Sequence, residues 1–125
     1  SAVKMCYAAL TKGSIALGTE LLVAARKLGV DKALEAELSG SQAELYESVL
    51  SRSASMPFKA YRWVPEMNEI AKTFEGAGMT PRILQGAADL YAQIATTPQG
   101  KESPEEARDK KRTGKQVIEG LADTI

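Results

Sequence analysis

The chain has 125 residues, 44% hydrophobic and 26% charged, with sixteen basic side chains balancing sixteen acidic ones and no histidine. That length makes one domain and excludes a second, and the charge balance leaves no net field to draw the domain onto nucleic acid or an anionic membrane. Without histidine there is no Ser-His-Asp or Cys-His catalysis and no histidine-ligated metal, and the single Cys6 builds neither an internal disulfide nor a cysteine zinc site. A reducing, cytoplasmic compartment is expected. The opening residues carry no targeting signal, and no apolar run is expected to approach the roughly 18 residues of a membrane span.

The first predicted element is a long helix from Ala2 to Leu28. No proline interrupts it, and Val3, Tyr7, Leu10, Leu17, Leu21, Ala25 and Leu28 recur at three- and four-residue steps, with one slip around Ile15. Gly29, with Arg26 and Lys27 before it, supplies the stop. Small residues such as Ala8, Gly13 and Gly18 lie on several faces, so other helices can approach closely from more than one side. Each mid-helix glycine costs about 1 kcal/mol against alanine, and close packing is the expected compensation.

A short helix follows, with Asp31 as N-cap and Leu34 and Leu38 on one face, closed by Ser39-Gly40. Ser41 and Glu44 have capping-box spacing for a helix to Ala54, with Leu45, Val49 and Leu50 as its buried stripe. After a loop to Pro57 and a single turn in Phe58–Val64, Pro65 is expected in the first turn of a helix that turns Met67, Ile70, Ala71 and Phe74 inward and ends at Gly76-Ala77-Gly78. Thr80 as N-cap and Pro81 at the first position open the next, which carries Ile83, Leu84, Ala87, Ala88, Leu90, Tyr91 and Ile94 to about Thr96. Ser103-Pro104-Glu105-Glu106 caps a last helix to Leu121, docked by Val117, Ile118 and Leu121. No segment alternates as a strand. The expected fold is all-α, a single domain over residues 1–125 of six or seven helices around one long N-terminal helix.

Chemistry is sparse along this chain. Gly76-Ala77-Gly78 has a G-x-G core but follows a helix, so it reads as a helix stop and the chain lacks a phosphate loop of its own. Glu35, Glu37, Glu105 and Glu106 read as solvated surface, and Cys6 as a buried thiol. The basic cluster Arg108, Lys110, Lys111, Arg112 and Lys115 lacks interleaved aromatics and reads as a solvated helix end. Trp63, Phe58, Tyr61 and Phe74 read as core packing. Arg62 and Glu66, at i, i+4 spacing around Pro65, read as a helix-start pair or as ligand contacts. Lys4, inside an apolar, small-residue helix, has two readings: an acid–base group tuned by desolvation, or a surface lysine with its ammonium in water. Lys12, two turns on with Ala8 between, is expected to line one cationic groove with it.

The run Lys4-Met5-Cys6-Tyr7-Ala8-Ala9-Leu10-Thr11-Lys12-Gly13, with Glu20 beyond it, resembles the start of the C-terminal helical domain of the β-hydroxyacid dehydrogenases, which include 3-hydroxyisobutyrate and 6-phosphogluconate dehydrogenases. The likeness is greatest to an NAD-binding, phosphogluconate dehydrogenase-like branch whose C-terminal domain has unknown function. Tyr61-Arg62-Trp63-Val64-Pro65-Glu66-Met67-Asn68-Glu69-Ile70 and Gly86-Ala87-Ala88-Asp89-Leu90-Tyr91 extend it, so that it covers about Ala2 to Ala95.

The resemblance implies a separate Rossmann domain holding NAD or NADP, a homodimer made by the helical domain, and a small 3-hydroxy acid or sugar acid as substrate. Its acid–base lysine matches Lys4. A free lysine, with pKa about 10.4, is a poor base at neutral pH, so burial or a second cation such as Lys12 must tune it. Two departures alter the expected substrate contacts: Ala8 stands where many members have asparagine, and Asn68-Glu69 where many have Lys-Asp. Lys12, Arg62 and Asn68 are the remaining candidate substrate contacts. Ser1 is where such a domain would be severed from its Rossmann partner, and the severed piece is expected to be inactive and to bind no cofactor or metal. A helical dimerisation module without catalysis is the alternative.

Overall fold

The computed structural model describes all 125 residues as seven α-helices with two single 3-10 turns, at Pro57–Lys59 and Gln99–Lys101, and no strand. The helices are α1 (Ala2–Lys27), α2 (Asp31–Ser41), α3 (Ala43–Ala54), α4 (Ala60–Gly76), α5 (Arg82–Ala95), α6 (Pro104–Lys110) and α7 (Gly114–Thr124). The helix pair α4–α5 is the most closely associated, and α1 lies against α2, α3, α4, α5 and α7. Met56, Met67, Ile70, Tyr91, Ile94 and Leu121 are its most deeply buried large side chains.

α1 has two apolar faces. The inward one carries Ile15, Ala16, Gly18, Thr19, Leu22 and Val23. At Gly18 a Cβ would stand 2.6 Å from Cγ1 of Val49, so this close approach of α1 and α3 requires glycine. The stripe from which the helix is legible in sequence points the other way: Val3, Tyr7, Leu10, Leu17 and Leu28 are each at least two-thirds exposed, and Leu21 is more than one-third exposed. With Ser14 and Ala24 these residues follow an unbroken alternation of four- and three-residue steps, and no charged side chain lies among them. Two apolar faces also make α1 long and apolar enough, by length and composition alone, to cross a membrane, contrary to the sequence expectation.

Several boundaries differ from expectation for local reasons. α2 starts with Asp31 inside the helix and Val30 as N-cap, and it runs on to Ser41, whose hydroxyl donates to the Glu37 carbonyl at 2.9 Å. Ser41 is therefore unavailable for the expected capping box, and α3 turns Tyr46 rather than Leu45 inward. α4 begins at Ala60, five residues before Pro65. The missing proline N–H leaves the Tyr61 carbonyl without its helical donor, and Tyr61 and Pro65 both lie on the exposed side. α4 does stop at Gly76–Gly78, with Gly78 at φ 85°. α5 begins one residue late, at Arg82, whose N–H donates to Thr80 Oγ1; Ile83 faces outward.

The expected last helix is two helices. Lys111, at φ 49°, takes the left-handed conformation and ends α6, and Thr113 with Gln116 forms a second capping box that starts α7. The Ser103–Glu106 box is present, and Val117, Ile118 and Leu121 are buried. The reversal carries Arg112 back to Glu102, whose side chain is 7% exposed and accepts from both guanidinium nitrogens at 2.7 and 2.8 Å and from Lys110. With Lys115 paired to Glu35 and Arg108 to Glu105, the basic cluster is largely neutralised in ion pairs. Glu35 is thereby an ion-pair partner rather than free surface.

Candidate functional site

Lys4 stands in the first turn of α1, where Ser1 caps the helix by accepting from the Lys4 N–H. Its side chain is exposed and borders a shallow cleft of about 170 Å³ between α1 and α4, with Met5, Ala8, Glu66, Glu69 and Ile70. The enclosure expected around Lys4 is not formed by this chain. The floor is fixed by packing: Ile70 is buried, Ala8 is half-buried, and the Met5 sulfur accepts from the Thr73 hydroxyl at 3.2 Å.

Lys12 lies two turns further along the same face. Its ammonium meets Glu66 Oε2 at 2.7 Å and sits 5.0 Å from the Trp63 ring centroid. Trp63 in turn meets Tyr91 edge-on, ring centroids 5.2 Å apart, and the Tyr91 hydroxyl donates to the Lys12 carbonyl at 2.5 Å. Burial pushes the Tyr91 phenol well above its usual range, so it serves as a fixed donor. One chain of contacts thus ties α1, α4 and α5 at Lys12.

This arrangement alters the expected cationic groove. Glu66 lies between the two lysines and neutralises Lys12, while Glu69 adds a second carboxylate to the cleft. Arg62 does not pair with Glu66; it is exposed one turn earlier on the same face of α4. Asn68 is exposed on a face rotated by about 200° from Glu66, outside the cleft lining. Lys4 alone of the expected site residues lines the cleft; Lys12 is joined to its rim through Glu66, and Arg62 and Asn68 lie outside it. Glu66 and Glu69 are legible in sequence as an i, i+3 pair on one helix face.

Cys6 is exposed, contrary to the expected buried thiol, because it lies on the outer side of α1. No group of three or more potential metal ligands gathers anywhere in the fold.

Residues 25–94 match the family described as "Domain of unknown function (DUF1932)". The match spans the end of α1 through nearly all of α5; it includes Arg62, Glu66 and Asn68 and leaves Lys4 and Lys12 outside. No curated protein and no solved structure matches the chain. The matched domain occurs in the C-terminal region of NAD-binding hydroxyacid dehydrogenase-like proteins. With more than half of its length matched, the chain belongs to the DUF1932 family.

Proposed function

We propose that this chain is the substrate and dimerisation domain of an NAD(P)-dependent oxidoreductase acting on a 3-hydroxy acid or sugar acid, with Lys4 as the acid–base residue. The supporting observation is Lys4 itself: a cation with no ion-pair partner at the open mouth of the α1–α4 cleft, in a domain whose family accompanies dehydrogenase-like proteins. Lys4 would take the hydroxyl proton while the hydride on the same carbon would pass to the oxidised nicotinamide held by the nucleotide domain, and in the reverse direction Lys4 would return the proton. Lys12 and Glu66 position the cleft wall, and Arg62 and Asn68 make contacts only if another domain extends the site around α4.

The residues of this chain do not form a dinucleotide cradle. Its one G-x-G run closes α4 instead of opening a helix after a strand. NAD or NADP is therefore assigned to a nucleotide domain elsewhere in the parent protein, and proton transfer is the only step these residues supply. The test is the coding sequence upstream of Ser1, expected to encode a strand followed by G-x-G-x-x-G, and then turnover of hydroxy acids by the whole protein. Loss of kcat in Lys4→Ala, with the fold intact by circular dichroism, is the expected result; unchanged kcat removes Lys4 from the mechanism. The second reading, an association module without catalysis, is favoured by the exposed stripe of α1 and predicts that unchanged kcat.

A further inference from the structure

We propose that the pocket bordered by α6, the end of α3 and the two 3-10 turns binds a small oxyanion that carries its own hydroxyl donor, with Gln99 as the acceptor for that hydroxyl. The pocket has a volume of about 200 Å³ and shares no residue with the Lys4 cleft, so this inference stands whether or not Lys4 is catalytic. Gln99 borders it at 7% exposure, and its Oε1 is the one buried side-chain oxygen or nitrogen in the fold with no hydrogen-bond partner. A buried carbonyl oxygen left unpaired is costly, and so points to a donor that comes from outside the chain.

The glutamine is held so that this oxygen faces the pocket. Its Nε2 donates to the Val117 carbonyl at 3.1 Å and lies where a Cβ on Gly120 would stand only 2.4 Å away, which fixes that end of the amide against α7. Neither Val117 nor Gly120 borders the pocket, and the opposite end, Oε1, is the one left toward it. The turn beneath is fixed as well: the Thr97 hydroxyl accepts from the Gly100 N–H at 3.1 Å and donates to the Ile94 carbonyl at 2.6 Å. A glycine inside α7 is unfavourable for the helix, and its use here admits an amide that makes one hydrogen bond to the chain and leaves its acceptor open.

Charge at the mouth selects an anion. Arg108, Lys111 and Arg112 border the pocket with one carboxylate, Glu102, which is already committed to Arg112 and Lys110. Lys111 makes no ion pair, and Arg108 meets Glu105 only at 3.7 Å with both side chains at least two-thirds exposed. Lys111 also stands in left-handed backbone, φ 49°, at a helix end where glycine is the usual residue. α6 buries no residue of its own, so an anion seated between Lys111 and Gln99 fastens it to the turns. An apolar cavity of about 150 Å³ takes benzene, so this pocket takes a ligand of about five to ten non-hydrogen atoms. Inorganic phosphate, which keeps a P–O–H at neutral pH, and a small hydroxylated carboxylate both offer oxyanion and donor within that size.

Isothermal titration calorimetry on the 125-residue chain, at neutral pH and fixed ionic strength, compares two pairs of probes that differ in the donor: inorganic phosphate against sulfate, and glycolate against acetate. In at least one pair the hydroxyl-bearing member should bind about tenfold tighter than its partner, which leaves Oε1 unpaired. A preference in the first pair identifies a phosphoryl ligand, and one in the second a hydroxylated carboxylate. Lys111→Gly, which suits the left-handed backbone, should weaken both members about tenfold and keep the preference between them. Gln99→Met should keep the attraction and abolish the preference; if that variant does not fold by circular dichroism, the native chain and Lys111→Gly carry the test. The preferred ion should also slow hydrogen exchange of the α6 amides. Equal binding within both pairs, no binding of any of the four probes, a Lys111→Gly chain that binds as tightly as the native one, or unchanged exchange in α6 overturns the proposal.

Discussion

The Lys12 ammonium and the Glu66 carboxylate meet at 2.7 Å across the seam between α1 and α4, with the face of Trp63 beside the cation. Both side chains keep about a third of their surface exposed, so the ion pair contributes on the order of 0.5–1 kcal/mol and the ring contact a similar amount. Lys12→Met should cost about 1 kcal/mol in urea unfolding and Glu66→Gln less, with the double variant showing coupling between them. Trp63 is the only tryptophan, so its emission reports on this site directly. An unshifted emission maximum in Lys12→Met would show that the ring and the cation are not in contact in solution.

Lys12 and Glu66 are 54 residues apart, and nothing local to either specifies the other. The signals that did carry through are local ones: Ser103-Pro104-Glu105-Glu106 at the start of α6, Gly78 at the end of α4, and the buried Leu84–Ile94 face of α5. α1 failed in a different way. Its most regular apolar series faces outward, because the inward face uses Gly18, Ala16 and Thr19 to admit neighbouring helices, and small side chains weigh little in a periodicity count. The Thr113–Gln116 box is present in the letters, but the left-handed turn at Lys111 that separates it from α6 carries no glycine to mark it.

Thr19 and Ser53 join hydroxyls at 3.0 Å with neither residue exposed. Removing one hydroxyl strands the other in an apolar surrounding, whereas removing both strands nothing. Thr19→Val and Ser53→Ala should each cost about 1–3 kcal/mol, and the double variant clearly less than their sum. Thermal unfolding of the four proteins measures this; additive losses would mean the hydroxyls do not depend on each other.

Gly114 opens α7 against the backbone of α3. A Cβ there would overlap the Leu50 carbonyl, and backbone, unlike a side-chain tip, has no rotamer by which to yield. Gly114→Ala should therefore destabilise by about 2 kcal/mol or more, although alanine is the better helix former. Gly40→Ala, in α2 with nothing within 4 Å of the added atom, is the control and should be neutral or slightly stabilising. Equal effects at the two positions would contradict the α3–α7 packing.

Glu102 gives the fold an acid limit. The Arg112 guanidinium first, and Lys110 with it, holds this carboxyl down at about 2, against an ordinary value of about 4.5. A carboxyl depressed in the folded state binds its proton more readily when unfolded, so the stabilisation it provides is complete above about pH 4.5 and is lost as pH falls toward 2. Urea unfolding of the native chain and of Glu102→Gln should differ by a constant amount from pH 7 to 5. The gap should narrow between pH 4.5 and 2 and close below that. A gap that stays constant across the acid range would mean that the Arg112–Glu102 pair does not govern that carboxyl, and that Gln destabilises through shape alone.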